Sequence, residues 1–182
     1  PVAKKELSLV NISTTTVIDL WDAPTYSVDL VLLRGVSDAQ LSYCNLDYLA
    51  TLSKNTRQQI RRSLRHYETQ GELRVTKAAT EEDALEYFDA ISPIHKDRWG
   101  SGSGFYNPSF VSFHRKLIRQ AFCFGVIELQ KLSVGPVVLG YIYNFVFQNT
   151  VYFYLSGICP SEQNKLKPGL AFHSLCINHA LS

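Results

Sequence analysis

The stretch VVLGYIYNFVFQNTVYFYLSGI, residues 137–158, decides the fold of this chain. It contains two runs rich in β-branched and aromatic residues, Val137 to Phe147 and Thr150 to Ile158, separated by Gln148-Asn149. A two-residue polar break between two such runs is typical of a β-hairpin. A third run with a period of two, Cys123 to Leu132, comes before them and is joined to the hairpin through a Gly-Pro pair. We therefore predict an antiparallel meander of three strands.

Helical patterns and one further strand surround the meander. The predicted elements are a helix from Leu46 to Gln70 with Ser53 and Asn55 as candidate N-caps, a strand at 73–79, a helix opened by the Thr80–Asp83 capping box, a helix that begins at Asn107-Pro108, and a helix from Leu170 to Leu181. We expect Pro93 to bend or restart the second of these helices. This order predicts an α+β fold with an open mixed, mostly antiparallel sheet flanked by helices.

The length and composition suit one globular domain. The chain has 182 residues, 46% of them hydrophobic, which is enough to bury a substantial core. We assign residues 45–182 to this main domain, and residues 1–44, which hold two β-like runs, to the end of a preceding lobe or an N-terminal extension. The longest nearly apolar run has 11 residues, whereas a membrane-spanning helix needs about 20. The four cysteines lack C-x-x-C spacing, which favours reduced core thiols and a cytoplasmic location.

Six short motifs, taken in their order and spacing, resemble a known domain. They are SKNTRQQIRRSLRHYE (53–68), HKDRW (95–99), FHRKLI (113–118), LGYIYNF (139–145), YFYLSG (152–157) and KPGLAFH (167–173). Together they resemble the acetyltransferase domain found in cellulose-biosynthesis-type proteins. That domain is a branch of the GNAT superfamily of acyl-CoA N-acyltransferases, close to the Fem-type aminoacyltransferases. The resemblance covers residues 45 to 181 and implies the fold class that the element order predicts.

The resemblance implies an N-acyltransferase that uses acetyl-CoA or another acyl-CoA as co-substrate and needs no metal. The acyl group would pass by direct attack to an amine of a small-molecule or polysaccharide-related acceptor, which the sequence does not identify. The resemblance also implies further strands after residue 182, so we expect a truncated sheet; either the sequence is a fragment of a longer chain, or a second copy in a homo-oligomer completes the sheet. Two alternatives stay open: a Fem-type aminoacyltransferase that uses aminoacyl-tRNA, and a non-catalytic module that binds an anion or a polysaccharide-related partner. We expect no nucleic-acid partner except tRNA in the first alternative.

The resemblance places the acyl-CoA site at KLKPGLA, residues 165–171, directly after the meander. A helix N-terminus offers free N–H groups to a pyrophosphate, and a glycine lets the backbone approach closely. The superfamily's usual loop, Arg/Gln-x-x-Gly-x-Gly/Ala, is matched by Gly169 and Ala171, whereas Leu166 stands in the place of the Arg or Gln. An ordinary Pro-Gly helix start is the alternative. The predicted cofactor-binding residues are Ile158, Lys165, Lys167, Gly169, Leu170 and Ala171.

Groups near the end of the last predicted strand are candidates for catalysis. The resemblance implies that a backbone N–H there polarises the thioester carbonyl. We predict Ser156 and Gly157 in this role, because a glycine inside a strand marks a bulge or a close backbone approach. His95 and His114, in the HKDRW and FHRKLI motifs, and Tyr154 are candidate acid–base groups. Structural histidines and a tyrosine that packs in the aromatic core are the alternatives for these side chains.

A basic stripe lies along one face of the first predicted helix. Arg57, Arg61 and Arg65 are spaced at i, i+4 and i+8, and like charges at this spacing destabilise an isolated helix. We expect the stripe to hold an acidic acceptor, the 3′-phosphate of CoA, or tRNA; a solvated face paired with acidic residues is the alternative. Arg65 should be neutralised by Glu68, three residues later. The predicted substrate-binding residues are Arg57, Arg61, Arg98 and Trp99, the last two from the HKDRW motif.

Overall fold

The computed structural model describes residues 46–148 and 150–181. In chain order the elements are α1 (Leu46–Thr51), α2 (Lys54–Glu68), β1 (Leu73–Lys77), α3 (Glu81–Trp99), α4 (Pro108–Ala121), β2 (Ile127–Val134), β3 (Val137–Phe147), β4 (Thr150–Ile158) and α5 (Pro168–Leu181). The predicted preceding lobe or extension, residues 1–44, lies outside the described residues, as does Asn149 of the predicted hairpin turn.

A four-stranded sheet in the order β1-β2-β3-β4 forms the centre of the described chain, and each neighbouring pair of strands is antiparallel. α3 and α4 cover one face, where Phe88 and Ile118 pack in one buried cluster with Tyr143 of β3. α5 lies on the opposite face, where Phe172 packs with Ile142, and α2 packs on α5. The predicted α+β architecture, an open and largely antiparallel sheet flanked by helices, is confirmed.

The helices form where the periodicity placed them, with three corrections. The helix predicted from Leu46 to Gln70 is two helices, since α1 ends at Thr51 and α2 begins at Lys54. Ser53, between them, is the N-cap of α2, because its Oγ accepts a hydrogen bond from the Thr56 N–H at 3.2 Å. α3 does not restart at Pro93 but continues to Trp99. It is held by the predicted capping box at its start and by a fully buried face on the sheet. α5 begins two residues early, at Pro168, a residue favoured at the first helical position.

The strands β3 and β4 have the predicted bounds, whereas β2 begins at Ile127 instead of Cys123. The residues Phe122–Phe124 form a 3₁₀ turn, and Gly125, at φ 68°, ends it in the left-handed region. The sequence did not predict this turn, because its residues are apolar and continue the pattern of the strand that follows. Cys123 is exposed on it, so the prediction of a core thiol was wrong at this position.

Candidate active site

A bulge in β4 determines where Tyr154 points. Tyr143 of β3 pairs with Leu155, and the next residue, Asn144, pairs with Phe153, so Tyr154 is an extra residue without a partner. An extra residue interrupts the alternation of side chains along a strand. Tyr154 therefore faces the α3 and α4 side together with Leu155, and its ring lies 5.5 Å from that of Tyr143.

His114 of α4 joins two tyrosines through its two ring nitrogens. Its Nε2 is 2.9 Å from the Tyr154 hydroxyl, and its Nδ1 is 3.4 Å from the Tyr143 hydroxyl. The imidazole is 3% exposed and packs against the Phe110 ring. Tyr154 is 41% exposed, whereas Tyr143 is completely buried. A chain of hydrogen bonds thus runs from the protein surface at Tyr154 into the core, and it brings together two of the predicted catalytic residues.

Burial sets the protonation states along this chain. It lowers the pKa of His114 and raises the pKa of Tyr154. Burial, and then the neighbouring Tyr154, also raise the pKa of Tyr143 far above its ordinary value. A neutral imidazole donates from one nitrogen and accepts at the other. With the proton on Nε2, His114 donates to Tyr154 and accepts from Tyr143, which leaves the Tyr154 O–H available as a donor on its exposed side.

His95 lies in a second cluster, near the end of α3. Its Nδ1 is 2.9 Å from the Ser103 hydroxyl, which also accepts a hydrogen bond from the Phe105 N–H at 3.3 Å. Burial first, and the charge of Arg98 second, lower the pKa of His95. Its ring centroid is 6.1 Å from that of the exposed Trp99, and the Arg98 guanidinium lies 5.3 Å from the Trp99 ring centroid. Three predicted residues, one catalytic and two substrate-binding, are therefore neighbours at this end of α3.

β4 is the edge strand of the sheet within the described residues, and its free backbone groups can be assigned. The Cys159 N–H donates to the Leu139 carbonyl of β3 at 2.9 Å. Successive N–H groups along an antiparallel strand point alternately toward and away from the partner strand. The N–H groups of Ser156 and Ile158 therefore point away from β3, toward the free edge, whereas that of Gly157 points toward β3.

Gly157 has a packing role at this position. A Cβ atom there would lie 3.0 Å from the carbonyl oxygen and 3.1 Å from the Cα of Ile91 in α3. Only a residue without a side chain lets α3 approach β4 this closely. Of the two interpretations that the sequence offered for this glycine, the close backbone approach is confirmed, and the bulge lies at Tyr154 instead.

The N-terminus of α5 lies beside the end of β4. A Cβ on Gly169 would be 3.8 Å from the Ile158 Cδ1, an ordinary contact, so packing does not require glycine there. Pro168 has no N–H, and the N–H groups of Gly169 and Leu170 are among the first in the helix, where no intrahelical acceptor exists. Two free donors at the positive end of a 14-residue helix, with a glycine that leaves space beside them, fit a pyrophosphate group.

A hydrogen bond connects the loop before α5 to α2. The Lys167 N–H donates to the Ser63 hydroxyl at 2.9 Å, and the Lys167 carbonyl accepts from the Ala171 N–H at 3.1 Å. The side chains of Lys165 and Lys167 are exposed, whereas Leu166 is buried. The predicted cofactor-binding residues Lys167, Gly169, Leu170 and Ala171 thus form one continuous helix start, and both lysines are accessible to a bound anion.

The arginine stripe has partners that the sequence did not show. The Arg57 Nη1 donates to the Ala50 carbonyl at 3.0 Å, so this side chain caps the end of α1. Arg61 is exposed. The predicted pairing of Arg65 with Glu68 was wrong, because Glu68 is the last residue of α2 and lines a cavity beside α5. The ion pairs within the described residues are Arg74–Glu72, Lys77–Glu128 and Arg115–Asp89.

The described residues contain no group of three or more His, Cys, Asp or Glu side chains that could hold a metal ion. Within the same residues, no helix combines the length and the apolar character needed to cross a membrane.

A family model described as the acetyltransferase (GNAT) domain matches residues 54–182 of the sequence. The chain belongs to this family. No curated protein matches the chain significantly. Acetyltransferase (GNAT) domains generally use acyl-CoA, so membership supports an acyl-transfer activity. The narrower relation to cellulose-biosynthesis-type and Fem-type proteins stays a prediction.

Three side chains of this acetyltransferase (GNAT) domain site were not predicted: Tyr143, Ser103 and Ser63. Tyr143 carries the same pattern as the core aromatics around it, and only its hydrogen bond to His114 separates it from them. Ser103 lies in a glycine-serine loop that indicates flexibility and not a partner for a histidine. Ser63 bonds a residue 104 positions away, and no local signal predicts such a contact.

Proposed function

We propose that this domain transfers an acetyl or other acyl group from acyl-CoA to an amine of its acceptor by direct attack. The observation that carries the proposal is the position of the α5 N-terminus, with its two free N–H groups, beside the end of the strand that bears Tyr154. Acetyl-CoA, when bound, supplies the acetyl group as an activated thioester.

In this proposal, backbone N–H groups bind the pyrophosphate of acyl-CoA and polarise its thioester carbonyl. The N–H groups of Gly169 and Leu170 bind the pyrophosphate, and the exposed ammonium groups of Lys165 and Lys167 add positive charge. On the free edge of β4, the Ser156 N–H is available to a developing oxyanion. A preorganised donor of this kind contributes on the order of 3 kcal/mol to the lowering of a barrier.

Tyr154 is the proposed general acid. Its raised pKa keeps it protonated at neutral pH, and its hydroxyl is partly exposed. When it gives up its proton to a leaving thiolate, the tyrosinate keeps the hydrogen bond from His114 Nε2, and Tyr143 holds the opposite nitrogen. His114 therefore acts on Tyr154 and not directly on the substrate.

His95 is the proposed base for the acceptor amine. Its lowered pKa keeps the imidazole neutral at pH 7, the form that accepts a proton. The adjacent Trp99 ring is 56% exposed and has the Arg98 guanidinium over it, which offers an aromatic and cationic surface to the acceptor. The substitution Arg98→Gln, which removes this guanidinium, should raise KM for the acceptor more than it lowers kcat.

Calorimetry with acetyl-CoA tests the donor site. Gly169→Asp should abolish binding, because it adds bulk and a negative charge where the phosphates would lie. Gly169→Ala is the matched control and should fold normally, because its Cβ meets only an ordinary contact at 3.8 Å. Absence of binding by the unmodified chain at about millimolar acetyl-CoA would refute the proposal, as would equal affinity of the Asp variant.

Filter binding of tRNA at two salt concentrations separates this proposal from a Fem-type aminoacyl-tRNA donor. The Arg57 guanidinium keeps its charge, but its Nη1 already donates to the Ala50 carbonyl at the end of α1, which limits its freedom to contact phosphates. We expect weak binding with a steep loss at higher salt, typical of non-specific contact with phosphates. Tight, sequence-selective tRNA binding together with no affinity for acetyl-CoA would favour the Fem-type donor.

A further inference from the structure

A cavity lies away from the β4 edge, between α1, α2, the start of β1 and the second half of α5. Its volume is about 520 Å³, in the range of small-molecule pockets. The walls are apolar and are formed by Leu49, Leu64, Leu73 and Leu175. None of the residues given a role in acyl transfer lines it.

Two polar side chains of α5, Ser174 and Asn178, line this cavity. The Asn178 Oδ1 is buried and has no hydrogen-bond partner. Ser174, one turn earlier on the same helix, is 1% exposed, and its hydroxyl makes no hydrogen bond within the part of the chain that the structure describes. Buried polar atoms of folded proteins are nearly always paired, so the unpaired Asn178 Oδ1 indicates a ligand that supplies the missing hydrogen bond.

The charge at the mouth of the cavity decides what kind of ligand fits. Glu68 and Glu72 lie there, and Glu72 is paired with Arg74 at 2.8 Å. Glu68 is in none of the ion pairs of the described residues, and it is also the last residue of α2, at the negative end of the helix dipole. The unpaired atom is thus an acceptor, the unpaired charge is negative, and the Ser174 hydroxyl can donate or accept.

We propose that this cavity binds a small primary ammonium compound with a short apolar body. The ammonium group donates to the Asn178 Oδ1 and the Ser174 hydroxyl and is neutralised by Glu68, while the apolar body packs on the four leucines. An anionic ligand would face the Glu68 carboxylate, which is in none of the ion pairs of the described residues, and a purely apolar ligand would leave the Asn178 oxygen unpaired. This proposal is independent of the acyl-transfer site.

The test compares three compounds with the same six-carbon chain, n-hexylammonium, n-hexanol and hexanoate, by calorimetry on the 182-residue chain. We expect hexylammonium to bind at least about tenfold more tightly than hexanol, since a hydrogen bond to a charged group is worth about that factor, and hexanoate not to bind. Equal affinity for hexylammonium and hexanol would overturn the proposal. So would no binding of any probe at about 10 mM, which would indicate a cavity that holds water only.

Matched variants assign the binding to this cavity. Asn178→Leu keeps the number and branching of the side-chain heavy atoms and removes the acceptor, and Glu68→Gln removes the charge; each should weaken hexylammonium binding by about tenfold. Glu82→Gln, an exposed carboxylate on α3, is the control and should bind normally. If the Asn178→Leu variant does not fold, as judged by the loss of a cooperative melting transition, Ser174→Ala is tested in its place. Unchanged affinity in both the Glu68 variant and the α5 variant would refute the assignment, and neither change should alter the affinity for acetyl-CoA.

Discussion

Replacing Tyr154 with phenylalanine is the most direct test of the proposed acid. The change removes one hydroxyl, the group 2.9 Å from the His114 Nε2, and leaves the ring among its aromatic neighbours. A general acid contributes roughly 10²–10⁴-fold to a rate. We expect kcat to fall by about 10²-fold, equivalent to about 2.7 kcal/mol at 1.36 kcal/mol for each factor of ten.

Stability should change much less than turnover in this variant. One neutral hydrogen bond is worth about 1 kcal/mol, and because Tyr154 is 41% exposed, water can replace the hydroxyl beside the imidazole. The melting temperature should therefore drop by only a few degrees. Affinity for acetyl-CoA should be unchanged, since the proposed phosphate-binding N–H groups lie at the start of α5 and not on β4.

The assay is release of free CoA thiol with a primary amine acceptor, followed beside thermal melting and calorimetry. Tyr152→Phe is the matched control: Tyr152 lies on the same strand, is 50% exposed, and does not contact His114. If Tyr154→Phe keeps kcat within about twofold of the unmodified chain, then Tyr154 is not the acid. If both tyrosine variants lose activity equally, the loss reflects the surface of β4 and not this hydroxyl.

Three further predictions concern stability. Burial lowers the pKa of His114 below its ordinary value of about 6.5, so the unfolded chain takes up this proton first, and stability should fall as the pH drops below about 6.5. The melting temperature, measured between about pH 7.5 and 5.5, should show this fall. The His114→Gln variant should show a smaller dependence of melting temperature on pH, and an identical dependence would exclude His114 as its source. Arg57→Gln should cost about 1 kcal/mol in urea unfolding because it uncaps α1, whereas the exposed Arg61→Gln should be neutral; equal losses would contradict the cap. Gly157→Ala should cost about 1–3 kcal/mol by the same measurement, because its Cβ meets the backbone of α3 at 3.0 Å, and Gly102→Ala, with nothing within 4 Å, should not. Full stability of the Gly157 variant would mean that α3 moves freely away from β4.

The sequence predicted the order of the elements because their hydrophobic periods are strong and their ends carry clear signals. The bounds of β3 and β4 were read from β-branched and aromatic runs alone, and the capping box at Thr80 located the start of α3. The errors fell where a local signal had two meanings. Ser53 marked an N-cap, but the apolar pattern on both sides of it hid that a separate helix ends just before it.

The candidate site was predicted as a set of residue types but not as a geometry. His114 and Tyr154 were both named, yet nothing in the sequence shows that they touch, because their contact depends on one extra residue in β4. Without the bulge, alternation along the strand would turn Tyr154 toward the other face of the sheet. Contacts between distant residues, such as Ser63 with Lys167, require the packing of α2 on α5 to be known first.

The free edge of β4 links ligand binding to solubility. Soluble proteins commonly guard such an edge with lysine or proline, but residues 150–158 contain neither, nor any other charged residue. Tyr152 and Phe153 on this strand are about half exposed, at 50% and 53%. The proposed contact with the Ser156 N–H needs this edge to stay uncovered, and a proline on it would remove an N–H group. Within the described residues, an unguarded edge of this kind can pair with a strand of a second copy, and a ligand bound there as proposed would compete with that pairing.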